Sequence, residues 1–108
     1  MKALLLTIAA AGSMFVAAQA NAVDAAAAQA LAQKSGCLAC HSVDKKVLGP
    51  SYKDVAAKYK GDKTAEAKMI EKVKKGGSGV WGPMPMPANS PQVKDADIKT
   101  IVQWVLSL

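Results

Sequence analysis

One histidine, two cysteines and no arginine occur in the 108 residues of this chain, and aromatic side chains make up only 5% of it. A single imidazole excludes any site built on a pair of histidines. Two cysteines fall short of the four ligands that a structural zinc site takes, and no second Cys or His pair lies elsewhere to complete one. Phenylalanine occurs once, as Phe15, so little large apolar area is available to a core at roughly 25 cal/mol per Å². A small domain with so thin a core commonly gains stability from a metal, a disulfide or another staple.

The first stretch of the chain stands apart from the rest. Met1-Lys2 is followed by an uncharged, mostly apolar run from Ala3 to Ala18 and by the small-residue sequence Gln19-Ala20-Asn21-Ala22. Charge, apolar segment and an A-x-A end are the pattern of a secretory leader over residues 1–22, cut after Ala22, with Ala20 nearly as good. A membrane span needs roughly 20 apolar residues, and this run is shorter and rich in weakly hydrophobic alanine. The expected domain is therefore residues 23–108. Without Lys2 it carries 13 lysines against 8 acids, a formal charge of +5. Export also puts the two cysteines in an oxidising compartment, where a disulfide is the default for a pair.

The domain reads as all-α. Asp24 caps an alanine-rich helix to about Lys34, with Gly36 just beyond it. A short helix runs from about Tyr52 to Tyr59 or Lys60. A third spans Thr64 to Lys75 with Met69, Ile70 and Val73 on one face. The last, Asp95 to Ser107, buries a stripe of Ile98, Ile101, Val102 and Val105, with Asp95 and Asp97 placed well for its N-terminus. Between the third and fourth helices, "GGSGVWGPMPMPANSP" is too dense in proline for helix or central strand. An ordered loop of that length in a small domain is usually functional.

Both cysteines and the histidine fall within "CLACH", Cys37 to His41. A thioredoxin-like redox pair needs a preceding strand and alternating β and α units, which are missing. The remaining reading is covalent attachment of a c-type haem. Two thiols three apart lie on one helical turn and can form thioethers with the two vinyl groups of a porphyrin. The histidine directly after them can then take an axial position on iron. A haem is also the large apolar plate that the core lacks. For the sixth position the candidates are a methionine sulfur, a lysine or a vacancy. Met69 reads as core filler. Met84 and Met86 lie in the stiff loop, and the prolines flanking Met86 argue for a sulfur held in a fixed place.

The segments "GCLACH", "VLGPSYKDVAAKY", "GVWGPMPMPAN" and "WVLS" resemble, in order and spacing, the bacterial class I monohaem cytochromes c of the c-551/c-552 group. The resemblance implies a small four-helix fold wrapped around one covalently attached haem, with Cys37 and Cys40 as thioether positions. It implies His41 and Met86 as axial iron ligands, Pro50 supplying a carbonyl to the far N–H of His41, and Trp81 donating its indole N–H to a haem propionate. It places Asn89 near the Met86 sulfur. Two features depart from the group: "ANSPQVKDAD" is longer than usual, and Lys94 stands where a capping residue is expected.

A soluble periplasmic electron carrier follows from the resemblance, not an enzyme, and monomeric without a stable membrane anchor. Its partners would be redox proteins such as a nitrite reductase, a terminal oxidase, a dehydrogenase or a membrane cytochrome complex. Leu38, Val47, Leu48, Pro83, Met84, Pro85 and Pro87 would ring the haem edge, with Lys34, Lys45, Lys46 and Lys53 around them. Nucleic acid is not expected, because the lysines are dispersed. A haem-based gas sensor is the rival function. A peroxidase would need a distal acid–base residue, and no second histidine exists to serve.

Overall fold

Local chemistry starts and stops each helix. The structure, a computed structural model, describes residues 24–108; the leader expected over residues 1–22 lies outside them. The Asp24 carboxylate accepts a hydrogen bond from the amide of Ala27 at 3.1 Å and opens α1, Ala25–Lys34. Gly36, with φ +80°, turns the chain into a 3₁₀ turn, Cys37–Ala39. Ser51, almost fully buried, caps α2, Tyr52–Lys58, by accepting from the amide of Asp54 at 3.1 Å. The Asp62 carboxylate accepts from the amide and the hydroxyl of Thr64 at 2.8 and 2.6 Å, just ahead of α3, Ala65–Lys75. α4, Asp95–Leu106, begins after Lys94, whose side chain makes no capping bond; the acids Asp95 and Asp97 favour that end through the helix dipole instead.

α4 is the centre of the packing and touches α1, α2 and α3. Its stripe of Ile98, Ile101, Val102 and Val105 is buried as expected, and Trp104 joins it at 3% exposure. The α1 face that meets this stripe is made of Ala28 and Ala32, both fully buried. Small side chains there let the two helices approach closely. Two polar links tie α3 to α4: Lys74 Nζ to Asp95 at 3.2 Å, and the Gln103 amide donating to Glu66 at 3.0 Å. No strand occurs among the described residues, only isolated antiparallel bridges between His41 and Lys46 and between Gly77 and Met86. Nor is any described helix long and apolar enough to cross a membrane. The fold is thus four short helices around a core too small to close, which leaves one side of α4 facing a cleft.

Candidate functional site

That cleft has a volume of about 430 Å³, within the size range of small-molecule and cofactor sites. Segments far apart in sequence meet on its walls: Cys37, Cys40 and His41 from the turn after α1, Pro50 from the next loop, Met69 and Val73 from α3, Trp81, Met84 and Met86 from the proline-rich loop, and Ile101 and Val105 from α4. Most of the lining is apolar, with Lys68 and Lys72 as its cations.

The first wall is built by the 3₁₀ turn. The amides of Cys40 and His41 both donate to the carbonyl of Cys37, at 3.2 and 3.0 Å, so all three chemical groups belong to one turn. Both cysteines are half-buried and are not bonded to each other. Burial pushes the pKa of Cys37 up, partly offset by the Tyr52 hydroxyl beside it. Among the described residues no group of three or more His, Cys, Asp and Glu is arranged to hold a metal ion.

His41 is held from several directions. Its Nδ1 lies 2.8 Å from the carbonyl oxygen of Pro50. A carbonyl only accepts, so Nδ1 carries the proton and Nε2 presents its lone pair. Gly49 closes in beside the ring; a β-carbon there would stand 2.5 Å from Cε1. Tyr52 stacks on the imidazole with ring centroids 5.1 Å apart and 21° between planes. The loop that carries Pro50 is tied down by backbone bonds from Gly49 to Cys40 at 2.8 Å and from Tyr52 to Ser42 at 2.9 Å.

The opposite wall is the methionine loop. Gly77 and Met86 exchange both backbone hydrogen bonds, at 3.0 and 2.8 Å, closing residues 77–86 at the end of α3. Met86 is half-buried, whereas Met84 is 58% exposed. Met69 also reaches the cleft, and it packs against the core as expected of a filler. Trp81 lines the cleft, with Lys58 Nζ 5.3 Å from its ring centroid. Asn89 is not on the cleft wall. Its side-chain nitrogen donates to the carbonyls of Val73 at 3.2 Å and Pro87 at 3.3 Å, so it fastens the loop to the last turn of α3. Leu38 packs against the core instead of joining the exposed rim. Gly49 and Tyr52 were given no role at the site from the sequence, although both lie in the segment VLGPSYKDVAAKY around Pro50.

Two cysteines on one turn, an imidazole with Nε2 uncommitted and a slot of apolar walls fit a covalently held porphyrin. Known proteins agree with that fit. The cytochrome c family profile matches residues 25–108, and the chain belongs to that family. Cytochrome c-551 of Allochromatium vinosum is 56% identical over 78 residues, 72% of this chain and 82% of that protein. The crystal structure of Nitrosomonas europaea cytochrome c552 superimposes with a TM-score of 0.70 at 49% identity, covering 74% of this chain and 98% of the other. The class 1 cytochrome MtoD from Sideroxydans lithotrophicus gives 0.70 at 41% identity, covering 79% and 96%. The fold is therefore that of the class I cytochromes c, and the chain is an electron carrier with one covalently bound haem c.

Proposed function

We propose that this chain is a soluble periplasmic one-electron carrier in which Cys37 and Cys40 hold the haem by thioether bonds and His41 and Met86 are its axial iron ligands. The observation that carries the reading is that His41 and Met86 line one cleft from separate segments, each tied by hydrogen bonds that leave the ligating atom free. Haem iron held between two such ligands stores and releases one electron and has no open position for substrate.

The chain's own residues tune that centre. The Pro50 carbonyl fixes the tautomer of His41 and raises its basicity. The thioether of Met86 and the dry walls around it favour the reduced state. Trp81, on the cleft lining and 40% exposed, would donate its indole N–H to a propionate. Leu48 and Met84, both on the cleft lining and more than half exposed, form with Pro85 and Pro87 an apolar rim on which a redox partner can dock. Lys45 and Lys46 are exposed beside Val47 and Leu48. A positive chain of this kind steers an acidic partner toward the rim. Such a partner is a respiratory or denitrification protein: a nitrite reductase, a terminal oxidase or a membrane cytochrome complex.

Carbon monoxide separates carrier from gas sensor. The reduced protein at neutral pH is expected to show no spectral shift under the gas, and a prompt shift would mean an open iron position. Residues 1–22 support export, and protein recovered from the periplasm is expected to begin at Val23, or at Asn21 if the cut falls after Ala20.

A further inference from the structure

We propose that Tyr52 is a positioning residue for the iron ligand: its ring, braced by Trp104, sets the plane in which the His41 imidazole presents Nε2. The proposal rests on the reading of His41 as a ligand. A single hydrogen bond cannot set that plane. The bond from Nδ1 to Pro50, 2.8 Å long, fixes where one ring atom points and leaves the imidazole free to rock about the Nδ1 to oxygen line. The face of Tyr52 removes this freedom, because an aromatic ring stacked at 5.1 Å and 21° blocks rocking toward it.

Tyr52 is itself immobilised. It is the first residue of α2, its amide donates to the carbonyl of Ser42 beside His41 at 2.9 Å, and only 5% of it is exposed. Trp104 meets it edge to face, with centroids 5.5 Å apart and 77° between planes. Trp104 is 3% exposed and belongs to α4, the helix on which α1, α2 and α3 all pack. The line from Trp104 through Tyr52 to His41 thus transmits the rigidity of the core to the imidazole. The Tyr52 hydroxyl also neighbours Cys37, so one side chain abuts both a thiol and the ring of the CLACH turn.

Orientation is the quantity to read, since an ordinary core residue would alter stability alone. The ferric holoprotein is examined by electron paramagnetic resonance and by proton NMR of the haem methyl groups, both sensitive to the axial imidazole plane. Tyr52→Phe keeps the flat ring and is expected to retain the wild-type pattern. Tyr52→Leu keeps apolar bulk without the flat face, and is expected to reorder the methyl resonances and to give more than one low-spin signal. A wild-type pattern in Tyr52→Leu overturns the proposal. Should Tyr52→Leu fail to fold, the reduced wild-type protein decides the matter: nuclear Overhauser contacts between the rings of Tyr52 and His41 support the proposal, and their absence overturns it. If wild-type protein lacks a low-spin signal altogether, the ligand reading itself fails and takes this proposal with it; a normal signal left unchanged by Tyr52→Leu removes the role of Tyr52 alone.

Discussion

The backbone of Gly76 lies so close to the carbonyl of Met86 that no β-carbon fits between them. A β-carbon on Gly76 would also meet the amide nitrogen of Ala88 at 2.8 Å and the carbonyl carbon of Pro87 at 2.9 Å. With φ +72° and ψ −162°, Gly76 occupies a backbone region open almost only to glycine. Both conditions follow from closing the methionine loop directly on the end of α3.

Gly76→Ala therefore strains the backbone, by about 1–3 kcal/mol, and pushes Met86 away from its place. Thermal melts of the holoprotein are expected to show a lowered Tm, and the sulfur-to-iron charge-transfer band is expected to weaken. Gly61 is the control: its φ is +81° but nothing lies within 4 Å of a β-carbon there. Gly61→Ala should lower the Tm and leave the band intact. An unchanged band in Gly76→Ala would separate the position of Met86 from this contact.

Acid should weaken the start of α3. The hydroxyl and amide of Thr64, more than Lys68 at 3.7 Å, hold the Asp62 carboxyl below its usual pKa. A carboxyl whose folded pKa is depressed adds stability that is fully present above the unfolded pKa and lost as pH falls through the folded one. Asp62→Ala should thus lower the Tm at neutral pH, and the gap from wild type should close as pH drops below about 4, the ordinary aspartate range. A gap that stays constant into acid would contradict this.

Salt should slow the reaction with an acidic redox partner. Electrostatic steering contributes about 10- to 1,000-fold to association rates and fades with ionic strength. Lys53 is paired with Asp44 at 2.6 Å, which reduces its share, whereas Lys45 and Lys46 are exposed and form no ion pair among the described residues. Reversing both to glutamate should lower the stopped-flow electron-transfer rate at low salt and flatten its salt dependence. Lys99→Glu, on α4 outside the cleft lining, should do less. A wild-type rate indifferent to ionic strength would remove steering.

The sequence made the local features legible. Helix limits were readable where Asp24 and Gly36 act on the residues beside them, and the CLACH turn because one turn of chain sets its geometry. Contacts between distant segments were not. That Tyr52 would stack on His41 and lean on Trp104 depends on how α2 settles against α4, and no spacing within either segment encodes it. Asn89 shows the same limit: its amide nitrogen bonds to Val73 and Pro87 across the α3 terminus, a tie that no local spacing encodes. The longer segment before α4 blurred that helix's start, yet Asp95 opens it because the acids and the Lys74 pair favour that position.

Three methionines reach the cleft, so the most direct measurement replaces Met69, Met84 and Met86 by alanine one at a time and records the ferric charge-transfer band, the potential and carbon monoxide binding. Met86→Ala alone is expected to lose the band, to drop in potential by a measurable share of the about 0.8 V that axial ligands span, and to bind the gas once reduced. Survival of the band in Met86→Ala, or its loss in Met84→Ala or Met69→Ala, would contradict ligation by Met86.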